Sequence, residues 1–454
     1  MKYCSTRGSN RNTRFVDGLL MGLAEDGGLL IPQQLPDVTQ HLPAWRELSF
    51  VELAQAVIQL FVDDIDTNEL DALIEEAYAG FDHADVAPLV ELGNLHVLEL
   101  FHGPTLAFKD VALQLLGRLF ELALSRRGQR LNILGATSGD TGSAAIAGVR
   151  GQSNVNIFIM YPQGKVSRLQ EMQMTTVPDS NVHCLSIAGS FDDCQSLMKS
   201  AFADLPLKQE LQLGAVNSVN WARVLAQVVY YGYASLKFSQ PVSFCVPTGN
   251  FGNIFAGYLA RRIGFPIARL MVATNENDIL ARFFQSGEYA RGDVHFTLSP
   301  AMDIQVASNF ERYLYFHFDG DSQRLSEFMR TFQEQGRAAL DGPPPSTDFS
   351  STTVNTEQTL AAVQNTYTAH NYILDPHSAV GVAGGLRLHD AAEGPLICVA
   401  TAHPAKFPDA IARALPGVHP THPRLEALKD LPERKTELLA DLEAIKGYLR
   451  EAVA

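Results

Sequence analysis

The stretch Val242–Gly257 reads VSFCVPTGNFGNIFAG. An apolar run rich in β-branched and aromatic residues gives way at Pro247 to small polar residues, and an apolar helical pattern follows. A strand that passes through a glycine loop into a helix is half of a βαβ unit, the building block of parallel α/β folds. Gly249 and Gly252 allow the backbone to curl close to a ligand, and Gly252 is expected in a conformation favourable only to glycine. Thr248, Asn250 and Asn253 add polar donors at the positive end of the helix, an arrangement that suits phosphate. The spacing is neither GxGxxG nor GxxxxGK[ST], so the phosphate expected here belongs to neither a dinucleotide nor a nucleoside triphosphate.

The same alternation extends in both directions. From about residue 95 to 275, strands (RLNILGA, VNIFIMYP, NVHCLSIAG) alternate with helices (SAAIAGVR, DDCQSLMKSAFADL, WARVLAQVVYYGYASL), and GPLICVATAH resumes the pattern near the C-terminus. This implies open parallel sheets flanked by helices, with ligands where strand ends meet helix starts. Helical patterns fill residues 1–90 after a glycine-rich opening, AEDGGLLIP. The stretch DGPPPSTDFSSTT (Asp341–Thr353) reads as a surface loop, and the final TELLADLEAIKGYLREAVA as an amphipathic helix.

Composition bounds the function. The chain has 454 residues, 46% apolar and 19% charged, which is enough for more than one buried core. A formal charge of −15 argues against a nucleic-acid or anionic-membrane partner. No apolar run is long enough to span a bilayer, and MKYCSTRGSNRNTRF lacks the apolar centre of a secretory signal. The five cysteines are scattered without a CxxC pair. That excludes an obvious zinc or disulfide framework and points to a reducing, cytoplasmic setting.

Three further segments carry chemistry. In FHGPTLAFKD (Phe101–Asp110) a strand is broken by Gly103 and Pro104, and Lys109 stands at the entrance to a helix. The helix dipole and apolar neighbours both disfavour a protonated ammonium there, which suits a lysine that forms a Schiff base. A lysine that snorkels from a helix start to water is the competing reading. LGATSGDTGSAA (Leu134–Ala145) leads from a strand to a helix expected near Ser143. The backbone N–H groups of this loop and the hydroxyls of Thr137, Ser138 and Thr141 could hold a carboxylate or phosphate. In AVNSVNWAR (Ala215–Arg223), Arg223 could grip a phosphate bidentately or lie on a solvated helix face. A Schiff-base lysine and anion loops, with neither a metal nor a dinucleotide motif, suggest pyridoxal phosphate.

HGPTLAFKD, GATSGDTG, VNSVNWAR, PTGNFGN, ATNENDIL, SPAMDIQVASNFER and TAHPAKF occur in that order, after MKYCSTRG and LAEDGGLLIP. Over nearly the whole chain they resemble the threonine synthase family, in its long bacterial and fungal branch. The resemblance implies a tryptophan-synthase-β-like α/β fold (fold type II of pyridoxal phosphate enzymes) with two open twisted sheets. It implies an N-terminal extension over residues 1–94 and a catalytic region over 95–454, with a smaller subdomain to about 220 and a larger one from about 221. It makes Lys109 the cofactor lysine, Gly249, Asn250, Phe251, Gly252 and Asn253 the cofactor phosphate cup, and Asp140 and Thr401 neighbours of the cofactor ring. Thr137, Ser138, Gly139 and Thr141 fall to the substrate carboxylate, and Asn217, Ser218 and Arg223 to the substrate phosphate. The implied reaction turns O-phospho-L-homoserine and water into L-threonine and phosphate. Another fold type II activity, a threonine or serine dehydratase or a related phospholyase, is the alternative.

Overall fold

Each of the two compact units into which the chain divides is built on its own parallel sheet. The structure, a computed structural model, describes residues 1–9, 12–137, 139–345, 347–390 and 394–453. The first unit comprises residues 1–75, 81–102 and 218–420; the second comprises 76–80, 103–217 and 421–454.

The six-stranded sheet of the first unit runs in the order Phe349–Thr353, Ile267–Thr274, Val242–Pro247, Leu396–Ala400, Leu95–Glu99, Leu89–Leu92. Every pairing is parallel except the last, in which Leu89–Leu92 folds back on Leu95–Glu99. Its central strands read as continuous apolar runs because helices cover both faces. Val97, Cys245, Met271 and Val380 are among the side chains of one such core. Helix Trp221–Leu236 is buried along its whole length. The N-terminal residues add a small antiparallel pair, Tyr3–Ser5 with Leu30–Pro32.

The second unit carries a five-stranded parallel sheet in the order Thr436–Leu439, Val182–Ala188, Val155–Pro162, Leu131–Ala136, Leu213–Gly214. Helix Phe191–Ala203 starts on a capping box, with Ser190 Oγ accepting from Asp193 N at 3.1 Å and the Asp193 carboxylate accepting from Ser190 N at 2.7 Å. The C-terminal helix Leu442–Val453 sends Ile445 and Leu449 into a core with Leu134, Phe158 and Leu185.

Three expectations need correction: the final stretch read as one amphipathic helix opens with the strand Thr436–Leu439, and its helix starts at Leu442. The helix expected near Ser143 begins at Asp140. Gly139 makes the turn, and Thr137 Oγ1 accepts from Gly142 N at 3.0 Å, so the first turn is organised a few residues earlier. The stretch read as a surface loop ends in the strand Phe349–Thr353, at the edge of the first unit's sheet. Phe349 explains it: its ring packs against Phe284 at 4.8 Å, Tyr313 at 5.2 Å and Phe251 at 5.5 Å. Ser351 Oγ donates to Ala281 O at 2.9 Å, so the polar strand is buried with a partner. Among the described residues no helix is long and apolar enough to cross a membrane.

Candidate functional site

In the second unit, Lys109 is the first residue of helix Lys109–Arg127, at the helix entrance where the sequence puts it. The turn before it is fixed by its own polar groups. Asp110 is fully buried, and its carboxylate accepts from both Thr105 N and Thr105 Oγ1 at 2.7 Å. Gln173 Nε2 donates to Thr105 O at 3.0 Å, and Leu106 takes the left-handed region at φ 59°. A Cβ on Gly103 would lie 2.4 Å from Asp110 Cβ, so only glycine lets the carboxylate tuck under the turn. Lys109 is half-buried, with Nζ 5.0 Å from the centroid of the Phe108 ring.

The loop after strand Leu131–Ala136 belongs to the same unit. Thr137 Oγ1 donates to Gly139 O at 3.0 Å and accepts from Gly139 N at 3.1 Å, which closes the turn. Gly139 sits at φ 155°, and a Cβ there would meet Gln170 Nε2 at 2.5 Å. That amide donates instead to Asp140 Oδ1 at 2.9 Å. Thr141 is half-buried in the first helical turn. Ser138 lies outside the described residues. The helix from this loop and the helix from Lys109 cross where Gly117 faces Gly148: a Cβ on Gly117 would come 1.8 Å from Gly148 O. The lysine helix and the hydroxyl-bearing loop are therefore set by one close helix crossing.

In the first unit, strand Val242–Pro247 leads through residues 248–251 into helix Gly252–Arg262. The left-handed residue is Phe251, at φ 66°, and not Gly252 as the sequence suggested. The phenyl ring is held by Phe284, Phe310 and Phe349, so aromatic packing stabilises a conformation that glycine normally supplies. Proximity excludes a Cβ at Gly249 and makes one at Gly252 tight. A Cβ on Gly249 would lie 2.7 Å from Ala301 O, and one on Gly252 would lie 3.1 Å from Asn309 Nδ2. Asn253 Oδ1 accepts from the hydroxyls of Tyr230 and Tyr231, each at 2.7 Å, which fixes the amide. Burial raises both phenols well above their ordinary range, so they remain donors. Asn253 Nδ2 is left buried without a partner.

Arg223 is 5% exposed on the buried helix Trp221–Leu236, which removes the solvated-face reading. Among the described residues its Nε and Nη1 have no hydrogen-bond partner, and burial pulls its pKa down to about 10. Ser218 Oγ shares a 2.7 Å hydrogen bond with Ser308 Oγ. Asn217, which precedes it, is half-buried. Thr401 is buried just beyond strand Leu396–Ala400, and its N–H donates to Ser378 Oγ at 3.0 Å. The Ser378 hydroxyl donates in turn to Asp375, whose other oxygen pairs with His377 Nδ1 at 2.9 Å. His377 Nε2 accepts from Ala301 N at 3.3 Å, so Thr401 and the Gly249 turn share one polar backing.

The sequence named the loops but missed what holds them: Asp110, Gln170, Tyr230, Tyr231, Asp375 and Asn309. Asn309 lies in SPAMDIQVASNFER, a motif that carried the resemblance without any assigned role.

Three family models match the chain: "Threonine synthase N terminus" over residues 2–78, "Pyridoxal-phosphate dependent enzyme" over 82–336 and "Threonine synthase, C-terminal" over 378–449. The chain is 45% identical to a threonine synthase of Pseudomonas aeruginosa, across 99% of this chain and 98% of that protein. It is similar to a crystal structure of pyridoxal phosphate-bound threonine synthase from Brucella melitensis, with TM-score 0.97 and 46% identity over 100% of this chain and 99% of that one. The yeast threonine synthase structure matches with TM-score 0.95 and 43% identity, over 99% and 98% of the two chains.

Proposed function

This chain belongs to the threonine synthase family of pyridoxal phosphate-dependent enzymes, and from that premise we propose its substrate and the role of each site residue. The activity is that of a threonine synthase, a lyase that uses pyridoxal phosphate. The substrate is O-phospho-L-homoserine, converted with water to L-threonine and inorganic phosphate in the cytoplasm.

The residues present fit the cofactor. Lys109 anchors its aldehyde from a helix start. Gly249, Asn250, Phe251, Gly252 and Asn253 would take its phosphate; the unpaired Asn253 amide and the start of an eleven-residue helix that no side chain caps support this assignment. Asp140 and Thr401 would be the residues that contact its ring. When bound, the cofactor supplies an electron sink for charge that develops beside the substrate's amino group.

The protein supplies the rest. The amine of Lys109 moves protons at Cα and Cβ of the substrate. Gly139 and Thr141, with Ser138, receive the substrate carboxylate, and Thr137, whose hydroxyl is spent on Gly139 O, Gly139 N and Gly142 N, gives that loop its shape. Arg223, Ser218 and Asn217 bind the phosphate ester, and the guanidinium stabilises the charge on the departing phosphate at Cγ. The observation that carries this reading is the buried Arg223 with two unpaired nitrogens. A buried cation with unpaired donors is costly to the ligand-free fold, and a bound anion would offset that cost. The test is phosphate release from O-phosphohomoserine by the purified holoenzyme, with threonine measured as co-product. Equal rates on unphosphorylated homoserine would overturn the substrate.

A further inference from the structure

Asn309 stands where the substrate-phosphate segment meets the cofactor-phosphate loop. Its Nδ2 carries two hydrogens and lies 3.1 Å from Ser218 O and 3.3 Å from Asn250 O. One amide group thus spans the backbone of both anion-binding segments. Its Oδ1 accepts from Arg312 Nη1 at 2.6 Å, which leaves the NH2 group turned towards the two carbonyls. Arg312 is fully buried and spends its other donors on main chain as well, Nη2 on Val219 O at 2.6 Å and Nε on Leu30 O at 3.0 Å. Glu311, next to it, is gripped by Arg7 through both carboxylate oxygens, at 3.0 and 2.8 Å, and accepts from Thr6 Oγ1 at 2.7 Å. The clamp is therefore fastened to the N-terminal strand pair. Burial draws the pKa of this cation down to about 9, against the opposing charge of Glu311, and its hydrogen bonds all go to neutral oxygens.

We propose that Asn309, oriented by Arg312, is a positioning residue that couples the two anion-binding segments, so that the substrate phosphate and the cofactor phosphate are held in one register. The proposal rests on the assignment of residues 217–223 and 249–253 to those phosphates. Substitution at Asn309 then changes both affinities together, whereas a phosphate ligand changes its own.

Asn309→Asp tests this. The carboxylate still accepts from Arg312, now as an ion pair, but has no hydrogen to give Ser218 O or Asn250 O and repels both. Asn250 O keeps the backbone N–H of Asn309, at 3.0 Å, so the cofactor loop is disturbed less than the substrate segment. Two readouts are taken: titration of the apo-enzyme with pyridoxal phosphate by absorbance, and KM against kcat for O-phosphohomoserine at saturating cofactor. The expected result is a cofactor dissociation constant raised about threefold or more and a KM raised about tenfold or more, with a smaller change in kcat and an unfolding temperature lowered by a few degrees. Both constants within twofold of wild type, or a shift in only one, overturns the coupling. If the aspartate variant does not fold, Asn309→Ser removes the amide donors without adding charge and is read in the same way. Arg223→Ala is the control: an unchanged KM there sinks the assignment of the substrate segment itself, whatever Asn309 does.

Discussion

Replacing Arg223 with methionine should make the ligand-free protein more stable and the enzyme nearly inactive. The guanidinium is 5% exposed, two of its nitrogens are unpaired, and burial draws its pKa down to about 10. That drop corresponds to about 3 kcal/mol of desolvation borne by the cation. Methionine fills much of the same volume without the charge, so the ligand-free variant should gain about 1–3 kcal/mol, seen as a rise of a few degrees in Tm. Catalysis should move the other way. Two charge-assisted bonds to a phosphate ester in a dry site contribute about 3 kcal/mol, so kcat/KM should fall roughly a hundredfold. The loss belongs in both KM and kcat, because the same charge holds the ester and the leaving phosphate. Arg223→Lys should recover only part, since an ammonium lacks the planar fork. The folded pKa lies below the unfolded one, so the penalty is carried in full at neutral pH and relieved as pH rises past about 10. The stability gap between variant and wild type should therefore narrow in alkali. Calorimetry without ligands and steady-state kinetics at saturating cofactor measure the two effects. A kcat/KM within twofold of wild type, or a Tm that falls by several degrees, would refute the reasoning.

Other outcomes follow from the same geometry. Lys109→Ala should abolish turnover and the visible absorbance of bound cofactor while the far-ultraviolet circular dichroism is retained; near-normal threonine formation would remove the central assignment. Gly252→Val places a Cβ 3.1 Å from Asn309 Nδ2, so affinity for pyridoxal phosphate should drop in titration of the apo-enzyme well before the Tm does. His183 stacks on Phe158 at 4.4 Å, and burial, helped by Arg434, holds its pKa below the ordinary 6.5. The unfolded chain therefore takes up the proton first as pH falls below that value, and stability is lost through this window. His183→Gln should flatten the acid limb of the stability curve, and an unchanged limb would assign it to other groups.

The apolar strands and the helices they feed were plain in the sequence because periodicity reports burial directly. VSFCVPT and VNIFIMYP have no polar face to offer water, and both lie inside parallel sheets. Phe349–Thr353 was hidden by the opposite circumstance. Four of its five residues are serine or threonine, and the proline run before it reads as a loop. Only Phe349, seated among rings contributed by residues 251, 284 and 313, shows why the segment joins the sheet. Thr436–Leu439 was missed because a short strand within a charged helical pattern carries no period of its own; it becomes a strand by pairing with Val182–Ala188.

The candidate site divides along a similar line. Residues proposed to meet a ligand announce themselves by type and spacing: a lysine at a helix start, glycines after a strand, an arginine in the first turn of a helix. Residues that aim those groups do not, because their partners are backbone oxygens, and every residue has one. Arg312 bonds to Leu30 O and Val219 O, 282 and 93 positions away in the chain, and no local pattern encodes either contact. The same holds for the tyrosine pair on Asn253: nothing in the local pattern shows that two hydroxyls on one buried helix converge on the amide oxygen of another helix. Phe251 extends the point to the backbone itself. Loop chemistry led to glycine as the left-handed residue, yet an aromatic cluster drawn from distant segments holds a phenylalanine there instead. Sequence chemistry therefore supplies the candidate groups of the site. The orientation of those groups is set by long-range packing and by hydrogen bonds to main chain.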